Sequence, residues 1–295
     1  MNKGKKTILP DLRDFYNHLR ASGRDDSWLD LARAFIPGYY EELKRSEDDP
    51  EFVRNYAARN IARSHDSERK LALMLWYHDF FGDREESGYL ITLFGTQGVL
   101  ESQMAKVKKL FGDMVTERMA RDIHIPPLGS DLRSYPPMIR AYLKALKASL
   151  SAEECRKVLL GNHHGIGTAG FESEKEHFKQ SASLEEYLRE RHERFVNKLQ
   201  EHCDTGKMWF EQYITQGVVD YIKGHQEVHT GILDEGRIIV HKIPYAPEAW
   251  LKETDPVKKR HLACHCPFAR ASILEGEPVD KLWCHCSAGF TKVFW

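Results

Sequence analysis

Two identical triplets, Cys264-His265-Cys266 and Cys284-His285-Cys286, hold four of the six cysteines of this chain. In an extended backbone residues i and i+2 face the same side. Each triplet, read that way, offers two sulfurs to one point and turns His265 or His285 away from it. Two such pairs closing on each other form a tetrahedral four-thiolate cage from Cys264, Cys266, Cys284 and Cys286, the arrangement Zn²⁺ favours in structural sites. An iron–sulfur cluster is the other centre that four thiolates hold. The same residues support a different chemistry, in which Cys266 or Cys286 is a low-pKa nucleophile and His265, His285 or His163 its base. A redox pair, disulfides and plain packing of unmetallated thiols complete the alternatives. Metal ligation is the leading expectation, with zinc ahead of iron–sulfur.

The residues after each triplet sharpen that expectation. Pro267 suits the first position of a helix, where its missing N–H is no loss. Phe268 to Leu274 can continue that helix and Gly276 can stop it. Ser287 follows Cys286, ahead of Phe290, Val293 and Phe294 at helical spacing. Each triplet is therefore expected to end where a helix begins, and the positive end of the helix dipole favours thiolate over thiol. Tyr245, Trp250, Phe268, Trp283 and Phe290 are expected to wall a small-molecule pocket beside the cysteines. His265 and His285 are expected to support the ligands or line that pocket.

These groups must be positioned by the surrounding elements. Leu100, Met104, Val107, Phe111 and Met114 recur at the period of one helical face. Weaker versions of the pattern cover 10–21, 27–46, 51–64, 67–81, 136–148 and 151–160. Ser151 with Glu154, and Ser183 with Glu186, form capping boxes, the second opening a helix to about residue 203. A further helix is expected over 207–223. From Glu227 to Tyr245 β-branched runs flank Asp234-Glu235-Gly236, a hairpin turn. The Pro- and Gly-containing stretch 122–135 reads as a loop between units. The expected fold is α+β: a mostly helical region over 1–148 and a smaller α+β domain over 149–295 with a β-hairpin and the Cys-rich site.

The motifs CHCPFARASI and CHCSAGF, preceded by KIPYAPEAWLKETDPVKKRHLACHCP, resemble an uncharacterised prokaryotic family with Cys-x-Cys-Pro-aromatic and Cys-x-Cys-Ser-Ala-Gly-Phe motifs. Gly161-Asn162-His163-His164-Gly165-Ile166 and the stretch Phe195 to Cys203 look similar as well, so the likeness covers roughly 150–295. Its C-terminal motif looks like that of vinyl-reductase-type domains, α+β modules that bind small molecules, some of them sensors that hold zinc through cysteines. Hydrolases of aminothiazoline carboxylate are a more remote likeness. The resemblance implies a small-molecule ligand of unspecified identity and metal ligation by the four cysteines. It also implies further sheet-closing strands after residue 295, so the C-terminal domain is expected to be truncated.

Composition excludes several classes. With 43 basic and 44 acidic side chains, the chain is not expected to bind nucleic acid or membrane surfaces in general. Lys106, Lys108 and Lys109 read as the wet face of a helix. The opening MNKGKKTILPDLRDF has no apolar run behind its charge, so no secretory signal is expected. The longest apolar run, Leu71 to Tyr77, is far short of the ~20 residues of a membrane span. A cytoplasmic protein is expected, and close-set cysteines in a reducing compartment are metal or redox groups more often than disulfides. Other groups read first as structural: His163 and His164 as exposed residues of a glycine-rich loop, His192 and Cys203 as separate core positions, and Glu227, His229 and His241 as hairpin residues. His78, Asp79, Asp83, Glu85 and Glu86 read as a charged helix end, with acid–base work as the alternative.

Overall fold

The structure is a computed structural model that describes residues 12–46, 48–210 and 212–295. The opening residues 1–11, which carry the absent-signal expectation and the start of the first helical stretch, lie outside the described residues. The chain is α+β and mostly helical, with a single two-stranded antiparallel sheet among the described residues. It divides into two units, residues 1–95 with 126–131, and residues 96–125 with 132–295. The division thus falls at residue 95 and not at 148, because the helices over 99–149 pack with the C-terminal elements.

The first unit contains α1 (Leu12–Ala21), α2 (Asp26–Arg45), α3 (Phe52–Tyr56), α4 (Ser67–Phe80) and α5 (Arg84–Phe94). A π-helical turn, Ala57–Ile61, extends α3. Asp25 caps α2 by accepting from the Trp28 N–H, which satisfies an orphan donor of the first turn. Phe15, Leu19, Leu29, Ile36, Leu71, Met74 and Leu93 are buried together with Tyr39. The expected charged helix end turns inward at His78. Its Nε2 meets the Tyr39 hydroxyl at 2.6 Å and its Nδ1 meets Asp83 at 3.0 Å. Both ring nitrogens are thereby used, and His78 pins α2 to α4 from inside. Beside it burial pushes the Glu86 carboxyl up to about 7, Asp83, Glu85 and Glu51 push the same way, and Arg54 opposes them.

The second unit contains α6 (Val99–Phe111), α7 (Asp113–Ala120), α8 (Tyr135–Ser149), α9 (Ala152–Leu159), α10 (Glu172–Gln180) and α11 (Leu184–Thr205). There follow α12 (Gln216–Lys223), β1 (Ile232–Asp234), β2 (Arg237–Ile239), α13 (Pro247–Lys252), α14 (Pro256–Ala263), α15 (Arg270–Leu274) and α16 (Cys284–Thr291). The Ser151–Glu154 capping box is formed in full, and Ser183 accepts from the Glu186 N–H. The hairpin pairs Ile232 with Ile239 and Asp234 with Arg237. Glu235 and Gly236 both take positive φ at its turn, as a two-residue loop with the right twist requires. The helix expected from 207 starts later, at Gln216, because Gly206 and Phe210 adopt left-handed φ and Thr215 supplies the cap.

Two apolar groupings hold the second unit. Phe195, Leu199, Trp209, Val218, Val219, Ile222 and Ile243 bind α11 and α12 to the segment after the hairpin. A chain of edge-on rings runs Tyr135 to Phe268 at 5.5 Å, Phe268 to Trp283 at 5.4 Å and Trp283 to Tyr142 at 6.2 Å. It ties α8 to the residues that flank both triplets. The closest approach is between backbones: a Cβ on Gly289 of α16 would collide with the backbone N–H and carbonyl of Gly161, just after α9. Only glycine permits this contact.

Gly289→Ala is expected to destabilise the protein by about 2–3 kcal/mol or more, since backbone cannot give way as a side chain can. Gly38→Ala, on an exposed turn of α2 with open space at its Cβ, is expected to be neutral or stabilising by up to about 1 kcal/mol. Denaturant midpoints of both variants check the pair, and an unchanged midpoint for Gly289→Ala would contradict the close approach. For Glu86 the sign is that of an acid whose folded pKa is raised. The folded state holds its proton longer than the unfolded one, so stability falls as pH rises from about 4.5 to about 7. Glu86→Gln is expected to flatten that part of the stability–pH curve.

Candidate thiol and metal site

The first triplet lies outside any helix. Cys264 ends α14 in a β conformation, and residues 264–266 belong to no helix. Backbone N–H groups of Cys266 and Phe268 pull down the pKa values of Cys264 and Cys266 respectively, against burial. Trp283 adds its indole N–H to Cys266 Sγ at 3.1 Å. His265 points elsewhere, its Nε2 meeting the Ile243 carbonyl at 2.6 Å, and so fastens the triplet to the strand-like segment after the hairpin.

The second triplet is different. Helix α16 starts at Cys284 itself and not after Cys286, so the triplet is its first turn. At 3.6 residues per turn, Cys284 and Cys286 stand about 200° apart around the axis and face nearly opposite ways. Cys284 is exposed and Cys286 is buried at 4% exposure. The expectation that both sulfurs of this triplet face one point is therefore corrected: helical rotation separates them. His285 is half-buried between them.

Cys286 faces a cluster the triplets alone do not reveal. His164 Nε2 lies 4.0 Å from its sulfur. Gln103, from α6, is completely buried, and neither of its amide atoms has a hydrogen-bond partner. The ring of Phe290 stands edge-on to His164 at 5.7 Å, and Lys242 Nζ lies 4.8 Å above that ring. The neighbouring His163 has other work. Its Nδ1 meets Ser102 Oγ at 3.0 Å and its Nε2 donates to the Val158 carbonyl at 2.9 Å. Proposed from sequence as a base, it is a buried cap on the end of α9, where Lys106 also donates to the Leu160 carbonyl.

The thiols carry the electrostatic signature of burial and mutual proximity. Burial pushes Cys266 up to about 12, and Cys264 and Cys286 push it the same way. Burial pushes Cys286 up to about 11, against the pull of Gln103 and Lys242. Burial also raises Cys264, to which Cys284 adds, while the Cys266 N–H, Arg270 and Lys242 pull it down. Cys284 is raised by burial and by Asp280. Low-pKa thiolates were the expectation; burial is instead the largest influence on each of the four thiols, and it raises them. His164 is lowered by burial and then by Lys242.

All six cysteines are free thiols. Four soft thiols from two triplets suit zinc by chemistry, but their placement does not: among the described residues no three His, Cys, Asp or Glu side chains gather into a group that could hold a metal ion. The expected aromatic wall is dispersed. Phe268 and Trp283 are core, Tyr245 lies under Arg270 at 3.6 Å, and Trp250 faces Tyr221 and Lys259. Of these residues only Phe290 borders the Cys286 cluster. A pocket of about 390 Å³ lies elsewhere, lined by Lys147, Leu150, Cys155, Arg156 and Leu282. Among the other candidates, His192 meets Thr230 Oγ1 at 3.1 Å, and His229, stacked on Phe195 at 4.2 Å, is pushed down to about 3 by burial. No described helix is long and apolar enough to cross a membrane. No family model, curated protein or solved structure matches this chain.

Proposed function

We propose that the C-terminal unit binds a soft metal ion, zinc first, through thiols of its two cysteine triplets. The observation that carries this reading is the indole N–H of Trp283 donated to the Cys266 sulfur at 3.1 Å. Such donors add little to a neutral thiol and much to a thiolate, and a bound cation is what makes a buried thiolate stable. A reducing, cytoplasmic setting would keep the ligands available, and a small-molecule sensing role, implied by the resemblance of the motifs, would use the ion to hold the triplets together. Iron in a cluster is the alternative ion.

A second reading, thiol-dependent catalysis, is favoured by the Cys286–His164 pair at 4.0 Å. Here His164 would accept the Cys286 proton as sulfur attacks an electrophile. The expected result for the metal reading is about one colourless metal ion per chain after anaerobic purification, lost in Cys266→Ser. A brown protein would shift the ion to iron. Metal-free protein with no uptake on reconstitution, together with one cysteine that alkylates fast regardless of chelators, would replace the metal reading by the thiol one. Elemental analysis, the absorption spectrum and timed alkylation provide the three readouts.

A further inference from the structure

We infer that the corner between α8 and α9 is a binding site for a small amphipathic monocarboxylate, a molecule with an apolar tail and one carboxylate head. The site is independent of the metal and thiol readings, because none of the triplet cysteines lines it. Helix α8 ends at Ser149 and α9 begins at Ala152, so Leu150 and Ser151 alone join them. Leu150 takes an extended backbone there, which ends one helix before the next begins. A hollow of about 390 Å³ lies at this corner, bounded also by Leu282 of the turn Lys281–Trp283 that leads into α16. Its volume falls within the range of small-molecule sites, about 300–1,000 Å³.

The lining holds two kinds of group. Its apolar part is made by Leu150 and Leu282, both half-buried, by the methyl of Ala152 and by the buried Cys155. Cys155 belongs with the apolar groups. Its thiol donates to the Leu150 carbonyl at 3.7 Å, so its one proton is used inside the protein. A buried thiol of this kind behaves as a small hydrophobe. An apolar tail laid on these groups leaves water and is stabilised in proportion to the area it covers. An ion without such a tail leaves that surface unused.

The charged part of the lining is cationic. Lys147 comes from the last turn of α8 and Arg156 from α9. Lys147 is joined to Asp280, whose carboxylate also accepts the Leu282 N–H at 2.8 Å. The Arg156 guanidinium has no ion-pair or hydrogen-bond partner among the described residues. Glu154, beside Cys155 in the chain, is held by Ser151 in the capping box, where the positive end of α9 offsets its charge. Two positive charges less that of Asp280 leave one, which matches a monoanion. A guanidinium takes a carboxylate through two parallel hydrogen bonds. The three donors of an ammonium let Lys147 keep Asp280 and still reach the same head group. Inorganic phosphate offers a head group alone.

The test titrates the wild-type chain with octanoate, octanol and inorganic phosphate, followed by calorimetry and by NMR of leucine methyl groups. Octanoate is expected to bind saturably, with the Leu150 and Leu282 methyls shifting most. Octanol, without the charge, and phosphate, without the tail, are each expected to bind at least about ten-fold more weakly. Arg156→Gln is expected to weaken octanoate about five-fold or more and to leave octanol unchanged. Added salt is expected to weaken octanoate binding to the wild type more than to Arg156→Gln, because the head group is held at an exposed rim. No saturable octanoate binding, or shifts centred away from Leu150 and Leu282, overturns the site. Octanol binding as tight as octanoate overturns the anionic head, and phosphate binding as tight as octanoate overturns the apolar tail. Arg156 is exposed, and the comparison of the three probes on the wild type needs no substitution.

Discussion

The contact of Gly289 with Gly161 sets the geometry of the second unit. Helix α16 lies so close to the end of α9 that a single methyl group would part them. Three residues beyond Gly161 is His164, and three residues before Gly289 is Cys286. The backbone contact therefore fixes, on one side, the loop that carries the imidazole and, on the other, the helix that carries the inward sulfur. The caps on α9 reinforce it. His163 and Lys106 donate to the last carbonyls of that helix, groups that would otherwise be left unpaired beside the approaching α16. Two glycines, one histidine and one lysine thus determine where Cys286 can be.

Much of the fold was legible in the sequence because it rests on local signals. Periodicity placed α1, α2, α4, α8 and α9 within a few residues, capping residues opened α9 and α11, and Asp-Glu-Gly marked the hairpin. What escaped was set by distant contacts. The triplet pattern is identical at both sites, yet one lies outside any helix and the other is helical. Cys264 follows a helix that has ended and precedes Pro267, which disfavours helical φ/ψ at Cys266. Cys284 instead follows Asp280, whose side chain accepts the Leu282 N–H and starts a helical turn that runs on into α16. Asp280 was the available signal.

Gln103 was hidden for a related reason. The face of α6 was read from its apolar residues, Leu100, Met104 and Val107. The side chains buried there are Leu100, Gln103 and Val107, while Met104 is only partly covered and Met114 lies exposed beyond the break at Gly112. An amide at i+3 from one apolar residue and i−4 from the next sits on the buried stripe just as well as a methionine. Apolar counting skips it, although a polar residue in that place is the more informative one. The first unit repeats the lesson in His78, which a charged neighbourhood suggested was outside and which Tyr39 and Asp83 hold inside.

Trp283 precedes the second triplet in the chain and gives its indole N–H to a sulfur of the first. Its ring is also buried against Tyr142 and Phe268. A tryptophan so placed is an optical reporter built into the fold. Sulfur in contact with an indole quenches its emission, to a degree that depends on the charge the sulfur carries. The charge state of Cys266 is thereby written into the fluorescence of a residue that no substitution needs to introduce.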